Sequence, residues 1–525
     1  APAIMSMPQP PVKTTAVRDL LIALPVAFAL RLGLLLITHR AIDMPDSIHY
    51  INMARQFADG HFGDFDTNLP VLYSALAALV HLLVQNWEWA FWTVSLLAST
   101  LLLIPVYHVA HELHGVVSAR LSIVLLALWP WYVDYGSRIA LEALAVTLWF
   151  SAVWLLYKGI QGRKLYLYCA ALAFFALHLT RPEGSVLMLA SPFAALVLCY
   201  RQDRTHWIRL AGYTVLITLL MAGYACAMHR ITGSYTISYR APMSGEVGEH
   251  FEKQALISLV KTFIATISHV IPVMLGPFLL VFLGVGFFRY SDTTRKPRLE
   301  AFLLFFCFIQ WALSVLSLSP APRYLMAVIL VLALWSVKGM ELLHQRTQYW
   351  SRFRWVGKLP VMIVLILFTL GLAEPVVRKA VGATPSTPVE YRAVGKWMQE
   401  HLEPGLILCR KPQVGFYADM RTIGPDISHT PESLVQMAVE EGARYFVYDE
   451  RYSSEILPAL RPLLDTSVPH EHYTLLSDDL STHEGTRVVI YQFTPPGIEY
   501  RALDDMPSYS SHVAPGALLR KPDTP

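Results

Sequence analysis

Charge is scarce in this chain. Asp, Glu, Lys and Arg together make up 15% of its 525 residues, 54% are hydrophobic, and the mean hydropathy is +0.42. That balance excludes an ordinary water-soluble globular domain and points to many membrane spans. Neither sign of charge dominates: the formal net charge is +3, so no basic footprint for nucleic acid is present. Cysteine is sparse as well, with five in all. Cys169, Cys199, Cys226 and Cys307 sit in apolar runs, and only Cys409 falls in polar surroundings. No Cys-x-x-Cys spacing occurs, which rules out a disulfide framework or a zinc motif. P-loop and Gly-x-Gly-x-x-Gly signatures are missing too, so nothing points to a bound nucleotide. No internal repeat is visible.

Apolar runs of spanning length begin near Val17, Trp89, Val116, Ile139, Leu165, Ser185, Trp207, Ile271, Ala301, Tyr324 and Pro360. The first, Ala16 to Thr38, is long enough to stay as a span rather than be cleaved. Leu69 to Gln85 is a further apolar run of marginal length. Charge decides whether it crosses. With the segment held at the interface and the N-terminus inside, 18 Lys and Arg fall in inner connectors and 9 in outer ones. Letting it cross would flip every later connector and put most of the positive charge outside. The positive-inside rule therefore predicts about eleven crossings.

The polar residues that remain are unevenly placed. Ile42 to Gly60 follows the first span and is too polar for lipid. Pro45 should start a helix there and Gly60 end it. Asp46, His49, Asn52, Gln56 and Asp59 recur on one side, Ile48, Ile51, Ala54 and Phe57 on another, so the helix is expected to lie along the membrane surface. Asp46 reads either as a helix N-cap or, with Asp43, as part of a catalytic carboxylate pair. The predicted topology puts the stretch Trp129 to Glu142 on the same outer side, together with Thr180-Arg181-Pro182-Glu183-Gly184 and Ser319-Pro320-Ala321-Pro322-Arg323-Tyr324. The Ile231–Val270 loop is outside too; its second half, ending at His269, reads as an amphipathic helix. Ionisable groups at the edges of spans tend to line water-filled cavities. Singly, Arg138 or Arg181 could instead snorkel to head groups, but Glu142, one turn into its span, has no such escape. His111, Glu112 and His114 fall in an inner connector and read as a solvated turn.

After Glu374 helices alternate with strands: a helix over Val389–Glu403, a strand at Leu406–Cys409, a helix over Pro431–Gly442, and strands at Ala443–Tyr448 and Arg487–Phe493. That pattern predicts a small α/β domain. The fold expected is thus mainly α: about eleven transmembrane helices, interfacial helices in the first outer loop, and a C-terminal extracytoplasmic α/β domain. The division expected is 1–376 for the membrane part, 377–388 for a linker, 389–495 for the outer domain and 496–525 for a tail.

A cavity with carboxylates, several arginines and an apolar floor suits a phosphate on a lipid tail. Arginines pair with phosphate oxygens through a planar fork and stabilise a leaving phosphate. A carboxylate can take the proton of an attacking hydroxyl or amine. At this point the chain resembles the C-type (GT-C) glycosyltransferases, in the branch similar to protein mannosyltransferases and the aminoarabinose transferases of lipid A. The resemblance rests on Pro45, Asp46 and Tyr50, on Leu69-Pro70-Val71-Leu72-Tyr73, on Glu142, on Thr180-Arg181-Pro182-Glu183 and on Pro322-Arg323-Tyr324, and covers residues 17 to 376. It implies transfer of a sugar from a polyprenyl-phosphate donor to an extracytoplasmic acceptor, with lipid bilayer as the setting. By the same resemblance Asp46, Asp43 and Glu142 are the candidate catalytic groups. Arg181, Arg323 and Arg138 are the candidates for the donor phosphate, and His49, Tyr50, Tyr324 and His269 for the pocket. The implied location is the inner membrane of a bacterium, with the site and the C-terminal domain on the periplasmic side. Family members often carry Asp-Glu in the first loop, whereas Ser47 follows Asp46 here; a divalent metal is not required by the sequence. A transporter without covalent chemistry is the competing class. Against it, transporters usually place polar groups near the midplane and show internal repeats.

Overall fold

The computed structural model describes residues 12–38, 41–61, 69–199, 204–233, 235, 253–289, 296–316, 321–348, 358–381, 387–480 and 485–494. They fall into two compact units. One runs to Ile37 and resumes from Thr67 to Glu374; the other joins Thr38–Asp66 to the chain from Pro375 onward. The first outer loop therefore belongs with the C-terminal part, not with the span that precedes it. Ser319, Pro320, residues 236–252 of the Ile231–Val270 loop and the expected tail lie outside the described residues.

In the first unit all eleven predicted runs are helices. Among the described residues eight are long and apolar enough to cross a bilayer, and a ninth is formed if the bent pair Val116–Leu128 and Pro130–Gly136 counts as one span. Lys164–Thr180 and the helix starting at Glu183 are apolar but shorter. The marginal run becomes Val71–Val84, 14 residues. At 1.5 Å per residue that is about 21 Å, short of a hydrocarbon core of about 30 Å.

Two features show how this bundle is held. The Ile271–Phe287 and Pro322–Gln348 helices pack backbone to backbone: a Cβ on Gly286 would lie 1.8 Å from the Trp335 carbonyl oxygen, and one on Gly339 would lie 2.1 Å from that of Phe282. Small residues permit such approach where lipid offers no hydrophobic drive. Gly286→Ala is expected to force the helices apart and to cost about 1–3 kcal/mol, as overpacking does; a lowered melting midpoint in detergent is the check. The second feature is Arg31, wholly buried within the first span. The 58° bend comes at Pro130, which has no N–H to give to the Leu126 carbonyl four residues back. Arg31 supplies the donors instead: Nη2 reaches Leu126 O at 3.3 Å, and Nη1 reaches Ala127 O at 3.4 Å and Ala27 O at 3.0 Å.

Charged groups assigned to the inner connectors meet one another. Arg120 Nε binds Asp19 Oδ2 at 2.7 Å, Lys158 pairs with Glu112, and Lys296 Nζ lies 3.7 Å from Glu112 Oε2. Glu112 and the buried His114 are thus part of a packed helix end, not the solvated turn expected for them.

Among the described residues the second unit carries five strands: β1 (Leu406–Cys409), β2 (Thr422–Ile423), β3 (Ala443–Asp449), β4 (Tyr473–Ser477) and β5 (Val488–Phe493), in the order β2-β1-β3-β5-β4. β1 is parallel to β2 and β3, and β5 is antiparallel to β3 and β4. Alternate residues of β1 enter opposite cores. Leu406 and Leu408 join Leu434, Phe446 and Leu460; Ile407 and Cys409 join Tyr391, Val394, Met398 and Val414. Both faces of the sheet are therefore covered, as the apolar run of β1 requires. Thr430 caps the Pro431–Glu441 helix in a capping box and Gly442 ends it with φ +70°. Burial pushes the Cys409 thiol up to about 12, which leaves it protonated and inert.

Candidate active site

The first unit brings four of the predicted site residues together. Arg181 occupies the two-residue turn between Lys164–Thr180 and the Glu183–Cys199 helix. Pro182 holds the residue before it in the extended region, and Arg181 accordingly has φ −148° and ψ 138°. Gly184 returns so closely that a Cβ would sit 2.5 Å from the His178 backbone nitrogen. The turn aims the Arg181 guanidinium at two partners. Nη2 meets Glu142 Oε1 at 3.3 Å, with side-chain exposures of 11% and 4%, and its centre stacks 4.8 Å from the Tyr324 ring. Arg323 lies over the same ring at 5.2 Å and donates from Nη2 to Tyr324 Oη at 3.3 Å. Tyr324 is thus flanked by two guanidiniums, an arrangement favoured by the ring's negative face.

Arg138 is tied down just past the end of the bent span, two residues after Gly136. Its Nε meets Asp134 Oδ2 at 2.8 Å and its guanidinium stacks on Tyr135 at 5.5 Å. Asp134 stood in the stretch singled out from sequence but was not picked. Its spacing of four from Arg138 was the available signal. Three supporting residues were also missed. Tyr73, fully buried, exchanges a 2.8 Å hydrogen bond with Ser95, whose hydroxyl in turn donates to Ala140 O at 3.3 Å, two residues before Glu142. Gln310 Nε2 donates to Tyr324 O at 3.3 Å. Tyr73 belonged to a recognised motif; the other two carried no sequence signal. His269 sits exposed in the π-helical turn Thr266–Val270 and is not among these contacts.

The second unit holds the first-loop residues. Pro45 begins a helix that runs to Ala58, and Gly60 follows with φ +79°. The predicted amphipathic split is present: Ile48, Ile51 and Ala54 are buried, Asp46 and His49 exposed, Tyr50 buried and Asp43 half-buried. Two readings change. The apolar side is not turned to lipid; Ile51 and Ala54 have no exposure at all within the protein. Nor is Asp46 the N-cap. That position is Met44, with no side-chain cap, and Pro45 and Asp46 are the first two helical residues. Ser47, next to Asp46, is completely buried, so that position faces protein. Among the described residues no group of three or more His, Cys, Asp or Glu is placed to hold a metal ion.

The loop is gripped by the C-terminal domain. Tyr417 Oη accepts a hydrogen bond from Ile42 N at 3.1 Å, Gln413 Nε2 donates to Asp43 O at 3.2 Å, and Arg55 stacks 5.1 Å from the Phe416 ring.

Residues 68–224 match the family model described as dolichyl-phosphate-mannose-protein mannosyltransferase. No curated protein matches the chain by sequence. Solved structures do match by shape. ArnT from Cupriavidus metallidurans bound to undecaprenyl phosphate is similar with a TM-score of 0.59 and 13% identity, over 92% of this chain and 98% of that one. The apo oligosaccharyltransferase of Archaeoglobus fulgidus matches with a TM-score of 0.58 and 12% identity, over 88% and 73%. AglB from the same organism, in complex with an inhibitory peptide and a dolichol-phosphate, matches with a TM-score of 0.51 and 11% identity, over 84% and 70%.

Proposed function

We propose that this chain, a polytopic membrane protein with the fold of those GT-C glycosyltransferases, moves a sugar from a polyprenyl-phosphate donor to an acceptor outside the cytoplasm. The observation that carries the reading is the partly buried cluster of Arg181, Glu142, Tyr324 and Arg323 at the ends of spans, in a protein of that fold. In the reaction the acceptor hydroxyl or amine attacks the sugar's anomeric carbon, and the bond to the lipid phosphate breaks. Asp46, with Asp43 as the other candidate, takes the acceptor proton. Arg181 and Arg323, with Arg138 as a further candidate, stabilise charge on the departing phosphate. Arg181 is held by Glu142 in the structure, so a donor phosphate has to share or replace that carboxylate.

The setting proposed is the inner membrane of a bacterium with the site on the periplasmic side. The charge asymmetry of the connectors supports it. A cysteine replacing exposed Arg346 and one replacing exposed Glu455 test this. Membrane-impermeant labelling of cells with the outer membrane permeabilised is expected to reach only position 455; reaction at 346 overturns the orientation. Activity itself is tested by incubating the purified protein with synthetic undecaprenyl-phosphate-linked sugars and membrane extracts, and following released undecaprenyl phosphate by mass spectrometry. Movement of the intact lipid across a vesicle membrane without release would favour the transporter class.

A further inference from the structure

The Pro412–Ala418 helix follows β1 directly and is seated firmly in the C-terminal domain. Val414 and Ala418 enter the core beside Val394 and Met398. At Gly395 the neighbouring Val389–His401 helix comes so near that a Cβ would lie 2.5 Å from Tyr417 Cβ and 2.6 Å from Val414 O. The helix's remaining face carries Gln413, Phe416 and Tyr417, spaced i, i+3 and i+4 and therefore side by side. All three meet the first-loop segment.

What they hold is specific. Tyr417 takes the N–H on one side of Ile42-Asp43, and Gln413 gives to the carbonyl on the other. Ile42 is 1% exposed, so its N–H has no water to turn to and depends on that hydroxyl. Gln413 is fully buried, and its Oε1 has no hydrogen-bond partner among the described residues. A buried amide with one end unsatisfied is costly and would not be favoured for packing alone; what it provides is the Nε2 donor. Two residues further on, Pro45 starts the helix that carries Asp46. The backbone entering that helix is thus set from the C-terminal domain.

We infer that Gln413 and Tyr417 are positioning residues, through which the C-terminal domain clamps the backbone around Asp43 and fixes where the first-loop carboxylates stand. The inference rests on the proposed catalytic role of that loop. The domain then serves as a brace for the reaction and need not contribute a reacting group. Displacement of a catalytic group by about 1 Å costs on the order of 100-fold in rate, which sets the scale of the effect.

Gln413→Leu is near in size, removes the donor and also removes the unsatisfied Oε1, so the fold should tolerate it. Tyr417→Phe removes only the hydroxyl. Each is made in the full-length protein and measured three ways. With an undecaprenyl-phosphate-linked sugar that supports release of undecaprenyl phosphate, kcat is expected to fall roughly 10–100-fold with the donor KM unchanged; the melting midpoint is expected to hold in Gln413→Leu and to drop in Tyr417→Phe, where the buried Ile42 N–H loses its acceptor. Hydrogen exchange at Ile42 is expected to quicken in Tyr417→Phe. On an Asp43→Asn, Asp46→Asn background Gln413→Leu is expected to cause no further loss. A kcat within twofold of the parent in both variants overturns the clamp, as does a loss in Gln413→Leu that tracks a lowered melting midpoint or persists on the double-Asn background. Full turnover in the double-Asn protein is a different result: it removes the catalytic reading of the loop. The exchange measurement needs no substrate, and unchanged exchange at Ile42 in Tyr417→Phe overturns the clamp by itself.

Discussion

Asp46→Asn is expected to cut sugar transfer by roughly 10²–10⁴-fold, the usual contribution of a general base, while folding and donor binding persist. The structure sharpens this test. Had Asp46 been an N-cap, Asn would have replaced it almost silently. The cap is Met44, and Asp46 stands exposed at the second helical position. Its charge near the helix N-terminus is favourable by about 0.3–1 kcal/mol, less than tenfold, and an unchanged melting midpoint in Asp46→Asn separates a loss of turnover from a loss of stability. Asp43→Asn is the paired measurement, because Asp43 is half-buried and its backbone is held by Gln413. If release of undecaprenyl phosphate survives in Asp46→Asn and fails in Asp43→Asn, the base is Asp43. If both proteins turn over normally, the loop is not the source of the base.

Arg181→Ala is expected to destabilise the protein by about 3–5 kcal/mol, because it leaves the Glu142 carboxylate buried without its ion partner. That loss by itself says nothing about the donor. The informative protein is Arg181→Ala combined with Glu142→Gln, in which no buried charge remains of the pair. Its melting midpoint in detergent should recover most of the way to the parent value. Binding of undecaprenyl phosphate, followed by native mass spectrometry, should remain weaker by about 1.5–3 kcal/mol, the worth of a charge-assisted hydrogen bond. Arg181→Lys should restore binding only in part, since an ammonium lacks the planar fork and stacks less well on Tyr324. Parent-like binding by the double variant would limit Arg181 to neutralising Glu142.

Much of the molecule could be read before any coordinates. The eleven apolar runs, the helix from Pro45 to the Gly60 stop and three of the five strands all appear where hydropathy and turn residues placed them. These are local properties: a run of apolar side chains, a proline at the first helical position or a glycine at positive φ acts on its own few residues. β2, with two residues, and β4, with a mixed burial pattern, escaped because their patterns are too short or too irregular to stand out. The short Pro412–Ala418 helix escaped for the same reason.

By itself, then, the sequence determined that this is a polytopic membrane protein with an α/β domain after the last span, and which ionisable residues fall near the ends of spans. Only the tertiary structure decided how those residues are engaged. The pairing of Arg181 with Glu142 and the stacking of Arg181 on Tyr324 join positions 39 and 143 residues apart in the chain. The grip of Gln413 and Tyr417 on Ile42-Asp43 joins positions more than 360 residues apart. No local pattern encodes such contacts. They follow from the burial of apolar faces that brings the helices together, after which each buried donor and charge must find its partner within reach.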